Sequence, residues 1–409
     1  RFFLNHMEEN GGTFTRFRDV TAAVYPSSVL TSHGGGNYEQ ELGDFDGDGD
    51  LDLYGLNWFN GFTDRAYRNN NGVFGNATTL TNSGADDNEG DFLDYDNDGD
   101  LDLFVCNFSG TSKLYRNNDT GSGSIGLVFQ SGAVPSGGRN IDADACDVDK
   151  DGDYDLFVAR DSGQNTNKYF ENTTQTPDTH APYIPSVESV GNQTASASPV
   201  IMRAQVYDNA PYYITWYNET NADMSVNGHT IPSVSMVSSG GQIFRAELPG
   251  NLVGSVLYRV RSDDEYNNTG FSAVESYTGS TGLSIGGNYG TSTNGSLGAP
   301  TLEALSVAFA GTTLYVAGGN TPPGTPIFLA LNSASAPSIP LPGIGILNVG
   351  GSNWATIAAS ASAAGDFVLP LGLSPTLPSG ASLFMQYFTL DGTGGDLLGC
   401  SQGLEVITQ

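Results

Sequence analysis

Positive charge is what this sequence lacks most. Its 409 residues include 15 Lys or Arg against 45 Asp or Glu, a formal net charge of −30. Lysine stands only at Lys113, Lys150 and Lys168, and no Lys or Arg follows Arg261. This balance argues against nucleic acid as a partner, because binding it needs a basic footprint. Long apolar runs are missing too; none approaches the ~18 residues of a membrane-spanning helix. Histidine is scarce and scattered (His6, His33, His180, His229), with no H-E-x-x-H pair to hold a catalytic zinc. No export leader is visible, and a first residue of Arg rather than Met points to a processed chain. Cysteine occurs three times. Cys106 and Cys146 flank two similar loops and read either as a disulfide between neighbouring units or as two buried thiols. Cys400 is left over, free or intermolecular.

Aspartate, by contrast, is concentrated. The stretch GDFDGDGDLDLYG, residues 43–55, places Asp44, Asp46, Asp48, Asp50 and Asp52 at every second position. Carboxylates ~4 Å apart repel by about 1 kcal/mol in water and several-fold more near a protein surface. The pattern returns as Asp94, Asp96, Asp98, Asp100 and Asp102, then as Asp147, Asp149, Asp151, Asp153 and Asp155. A period of about 50 residues is the signature of a repeat architecture. A hard divalent cation removes the repulsion, and calcium takes about six to eight oxygens in flexible geometry. The expected donors are the side chains at positions 1, 3, 5 and 9 and the carbonyl at position 7. About three Ca2+ sites follow. Magnesium fits less well, because it prefers octahedral sites that retain water. Gly49, Gly99 and Gly152 occupy position 6, where a sharp wrapping turn favours positive φ. An EF-hand is ruled out. Its position 12 is a bidentate Glu, whereas Gly55, Val105 and Val158 stand there. The flanks LDLYG, LDLFV and YDLFV alternate as strands rather than helices.

The repeat extends past the loops. An aromatic, Asn-bearing strand follows each one: RAYRNNNGVF, KLYRNNDTG and KYFENTT, with Tyr67, Tyr115 and Tyr169 taken as equivalent. Acids precede each loop at positions −5 and −3: Glu39/Glu41, Glu89/Asp91 and Asp142/Asp144. They share one strand face, and either line a charged axis, support the metals from outside, or simply face solvent. These residues resemble the FG-GAP/VCBS type of β-propeller repeat, the calcium-loop blade of integrin α-subunits; GTFTRFRDVTAAV and LYRNN look like the bacterial VCBS form. The resemblance covers residues 1–175. It implies four-stranded blades around an axis, calcium in the loops, and roles in extracellular adhesion and ligand binding. Three loops are fewer than the four to eight blades of a propeller, and RFFLNHMEENGGTF aligns with a late strand of a blade. The expected fold is therefore all-β: a partial propeller, or one completed by another chain, followed by two β-sandwiches.

Residues 176–182 read as a linker. Residues 183–278 alternate as short strands and resemble an immunoglobulin or fibronectin type III sandwich, with Trp216 either a core residue or a carbohydrate-stacking one. Residues 279–300 are Gly/Ser/Thr-rich and predict a flexible linker. Residues 301–409 predict a second, nearly uncharged sandwich, suited to packing against neighbours or to anchoring, or else an ordinary module. GLSIG and GSGSIG lack the helix that the nucleophile elbow and the dinucleotide fingerprint require. Acids are plentiful, but nothing in the sequence marks a glycosidase pair. The expectation is a non-enzymatic, extracellular, calcium-dependent structural protein that assembles with copies of itself. The alternative is an adhesin that binds surface glycans or proteins. Millimolar calcium outside cells fills weak sites of this kind.

Overall fold

The computed structural model describes residues 2–5, 16–24, 38–58, 61–118, 124–149, 151, 153–161, 163, 166–174, 177–208, 217–240, 242–264, 266–283, 285–341, 345–350, 354–391 and 396–409. Trp216, Gly152, His6, His33 and parts of GLSIG and GSGSIG lie outside them. The described fold is all-β, with one four-residue helix, Thr21–Val24.

Three small antiparallel sheets carry the repeats. The first joins β3 (Gln40–Gly43), β4 (Asp52–Gly55) and β5 (Arg65–Tyr67), behind a hairpin of β1 (Phe3–Asn5) and β2 (Phe17–Asp19). A two-stranded piece, β6 (Asn69–Asn70) with β7 (Val73–Phe74), follows. The second sheet runs β11-β10-β9-β8, from β8 (Asp87–Leu93), β9 (Asp102–Asn107), β10 (Lys113–Arg116) and β11 (Val128–Phe129). The third joins β12 (Asn140–Cys146), β13 (Asp155–Arg160) and β14 (Lys168–Phe170). Each Asp loop is the connection from the first to the second strand of its sheet. Alternation sends successive side chains to opposite faces. Tyr54, Leu56 and Ala66 of the first repeat pack on Phe92, Leu103, Val105 and Tyr115 of the second. Phe104, Cys106 and Leu114 of the second pack on Ala143, Tyr154 and Val158 of the third. Leu53, Tyr67 and Phe74 are closed off by Phe2 and Val24.

Strand register corrects one expected equivalence. Tyr67 pairs with Leu53 and Tyr115 with Leu103, but Leu156 pairs with Phe170. Phe170 therefore holds the place of Tyr67 and Tyr115. Tyr169, opposite Phe157, faces the other side of its sheet. A one-residue slip exchanges faces, and the adjacent aromatics of KYFENTT hid it.

Beyond residue 182, two sheets enclose one core. One runs through Tyr183–Val187, Val200–Tyr207, Ile243–Leu248 and Val237–Gly240; the other centres on Gly254–Asp264. Met202, Val206, Phe244, Val256 and Tyr258 meet between them. A second pair of sheets closes over Leu314, Ile327, Leu329, Met385, Tyr387 and Val406. The segment 279–300, expected to be a flexible linker, is partly built into this unit. Gly287–Tyr289 pairs with Gly403–Glu405, and Thr293 bridges Cys400. Its glycines serve close backbone approach: a Cβ on Gly286 would lie 1.9 Å from the Glu405 carbonyl oxygen. The two units also share a junction, where Val253 N–H donates to the Leu305 carbonyl (2.9 Å) and the Asn251 side chain to the Val307 carbonyl (2.9 Å). The three cysteines are free, Cys106 and Cys400 buried and Cys146 half-buried.

Candidate metal centre

Each Asp loop is wrapped by its own backbone. Asp44 accepts from the N–H groups of Asp48 (3.1 Å) and Gly49 (2.9 Å), and Asp94 from those of Asp98 (3.0 Å) and Gly99 (2.8 Å). Asp147 accepts from Asp151 N–H (3.3 Å). Gly49 and Gly99 have φ of 95° and 93°, as a position-6 wrap requires. Both are also crowded from above: a Cβ would stand 2.9 Å from Pro185 and 2.8 Å from the His180 ring, respectively.

Position 9 closes each loop from below. Asp52 accepts from Phe45 N–H (3.1 Å) and Asn69 N–H (2.7 Å), and Asp102 from Tyr95 (3.0 Å) and Asn117 (2.6 Å). Asp155 accepts from Val148 (3.2 Å) and Asn172 (2.8 Å). The same asparagines reach on: Asn117 Nδ2 donates to the Phe45 carbonyl (2.8 Å), and Asn172 Nδ2 to the Tyr95 carbonyl (2.7 Å). Each thereby pins the loop of the preceding repeat. Each asparagine lies two residues past the aromatic that pairs with its sheet's second strand (Tyr67, Tyr115 and Phe170), but the role as a loop clamp emerges only in three dimensions.

Three acids of each loop converge. Ligand oxygens of Asp44, Asp46 and Asp48 lie within 4.8 Å of one another, as do those of Asp94, Asp96 and Asp102, and those of Asp147, Asp149 and Asp155. Asp98 instead pairs with Arg116 (2.7 Å), which also holds Asp96 (2.6 Å). Arg68 likewise pairs with Asp46 and with Asp48 (3.6 Å). In the third repeat Glu171 stands at the position of these arginines, so that loop gains an acid where the others gain a cation. Asp151 is exposed and Asp153 buried. Asp50, Asp100 and Asp153 stand outside the trios, and the carbonyl is their expected contribution. The Asp50 carboxylate accepts from Asn71 N–H.

Burial raises the affinity of these carboxyls for protons. Asp44 is pushed up to about 6 and Asp94 to about 7, by burial first and neighbouring acids next. Asp52 rises to about 8 and Asp102 to about 9 for the same reasons. The donor set is entirely hard oxygen. Asp96 Oδ1 is shut off from solvent without a hydrogen-bond partner, an orphan that a cation would satisfy. Both features fit calcium.

The comparisons fall on these loops. Residues 44–105 and 94–158 match the FG-GAP-like repeat. Each match begins at the first Asp of a loop and runs into the next FG-GAP-like unit. No curated protein matches the chain. Solved structures similar to parts of it include CopC from Methylosinus trichosporium OB3b (9% identity, 25% of this chain and 98% of that one, TM-score 0.19). Others are the fibronectin(III)-like modules of Clostridium thermocellum CbhA (12%, 56% and 92%, 0.17) and dimeric latent PorU from Porphyromonas gingivalis (10%, 92% and 29%, 0.21). At such scores none bears on function.

Downstream residues also reach the FG-GAP-like loops. Tyr266 Oη donates to Asp147 (2.7 Å), and Tyr183 Oη to the Gly47 carbonyl (3.4 Å). A cavity of about 280 Å3 lies where Asp44, Asp94, His180, Tyr183 and Tyr207 meet. The described part of the segment read as a linker, 177–182, thus runs beside the first two loops. A fourth acidic trio, Asp178, Asp208 and Asp264, forms beside it. Its members are too far apart in sequence to announce themselves. Asp264 already accepts from Tyr266 N–H, Asn268 N–H and Asn268 Nδ2, each at 2.8 Å.

Proposed function

We propose that this chain is a non-enzymatic, extracellular, calcium-binding structural protein that assembles with copies of itself, as a subunit of a surface filament or matrix. Calcium in the Asp loops holds the repeats rigid, and the repeats form part of a propeller that another copy completes. The observation that carries this reading is an uncovered face. Tyr54 with Ala66, and Phe104 with Leu114, are buried against the following repeat. The equivalent pair of the third repeat, Phe157 and Tyr169, is 48% and 39% exposed. Their rings lean on each other at 5.4 Å. At the opposite end, hairpin β1–β2 exposes Phe3 and Phe17. Open strand edges and apolar faces are normally paired or covered. A head-to-tail contact between these two ends propagates rather than closes.

Light scattering in millimolar calcium, then after excess EGTA, tests the proposal. Large particles that fall apart on chelation support it. A monomer of unchanged size in both conditions sinks it.

One observation favours the adhesin reading. Tyr38 and Trp58, both exposed, stack at 6.1 Å on the first repeat, a surface on which a sugar ring could lie. A monomer that binds glycans and loses that binding on Trp58→Ala would establish it instead.

A further inference from the structure

The first strands of the three sheets, β3, β8 and β12, are all sheet edges and stand next to one another. Alternation puts the paired acids of each on one face, so Glu39, Glu41, Glu89, Asp91, Asp142 and Asp144 converge away from the loops. Glu89 Oε2 accepts from Ala143 N–H (3.0 Å), which ties β8 to β12. Asp91 feels, after its own burial, Glu41, Asp144, Asp142 and Glu39. Glu89 feels Asp91, Glu39, Asp142 and Glu41. Both carboxyls are raised, and neither has a Lys or Arg among its principal influences.

One atom decides what such a cluster lacks. Asp91 is only 3% exposed, and its Oδ2 has no hydrogen-bond partner. A buried carboxylate with no partner costs several kcal/mol. A cation coordinated by that oxygen would satisfy it. Asp142 and Asp144 are exposed, leaving an entry path on the β12 side. No three of these carboxylates bring oxygens within the 4.8 Å of the loop trios. The wider spacing suits an ion that keeps part of its water shell.

We propose that this axial cluster is a further cation site, separate from the Asp loops, which takes a partly hydrated hard divalent cation between Asp91 and Glu89 on β8, Glu41 on β3 and Asp142 on β12. Carboxylate and water together suit magnesium or manganese.

Mn2+ is the probe, counted per full-length chain by electron paramagnetic resonance of the free ion during titration. The isosteric double variant Glu89→Gln/Asp91→Asn is expected to bind one Mn2+ fewer than the wild type, and its melting temperature in EDTA to hold or rise. Glu41→Gln, on the partly exposed β3 edge, is expected to weaken the same ion at least tenfold. A loop variant, Asp94→Asn/Asp102→Asn, loses a loop ion and keeps the axial one. Axial variants that bind Mn2+ as the wild type does overturn the site. If the double variant fails to fold, Glu41→Gln decides, and unchanged binding there overturns it. Failure of the calcium-loop reading would be seen separately, as a loop variant with unchanged stoichiometry.

Discussion

Single residues here are constrained by several demands at once. Gly99 must adopt φ 93° and leave room for the His180 ring. Gly99→Ala is expected to cost roughly 1–3 kcal/mol, the range for a side chain held in strained backbone, read as a lower denaturation midpoint with unchanged slope. The positive φ was legible from the loop pattern; the crowding was not, because His180 lies far along the chain. Asp94 is a loop acid whose two oxygens also anchor the turn. Asp94→Asn is expected to weaken calcium at the second loop at least tenfold by isothermal titration; undiminished affinity would remove Asp94 from the ligand set. Nothing but the rarity of lysine singles out Lys113 in the sequence. It is buried against Asp87, which also accepts from Asn107 Nδ2 at 2.8 Å. Lys113→Met leaves Asp87 as an uncompensated buried charge and is expected to destabilise the fold by about 3–5 kcal/mol.

For the elements, period and alternation were informative while register was not. Three Asp loops at a near-constant spacing declared three like units, and the β-rich flanks declared strands. The acids before each loop come to stand on three neighbouring edge strands, β3, β8 and β12. The register of KYFENTT was misread by one residue, because two adjacent aromatics both suit a strand and only pairing chooses between them. The Gly/Ser/Thr stretch 279–300 misled for a related reason: glycine that permits close backbone packing has the same composition as glycine that permits flexibility. The loops predict a pH dependence. Asp52 and Asp102, at 3.8 in an unfolded chain, rise to about 8 and about 9 when folded without a cation. The folded state then binds more protons than the unfolded one, so stability falls as pH rises from about 4 towards 9. Calcium requires the deprotonated oxygens, so its binding releases protons and strengthens over the same window. The calcium-free melting temperature is therefore expected to be lower at pH 8 than at pH 5, and the increment from millimolar calcium larger at pH 8. A calcium-free melt that rises with pH would contradict this.

At the scale of the whole molecule, the repeat stack begins under a hairpin and ends on exposed aromatics, while the first downstream unit packs against the loops and against the second unit. That arrangement leaves exposed aromatics at both ends of the repeat stack, Phe3 and Phe17 at one and Phe157 and Tyr169 at the other. On the proposed reading, bound calcium would stabilise the folded repeats by mass action and so link cation supply to the exposed face. Nothing in the composition revealed that face; it becomes visible only when the positions of Phe104 and Phe157 are compared through their strand partners. The most direct measurement is particle size, by light scattering in millimolar calcium, of the wild type beside Phe157→Glu. Because Phe157 is half-exposed, the variant is expected to keep the wild-type melt. The account predicts large particles for the wild type and monomers for the variant; particles of equal size would contradict it.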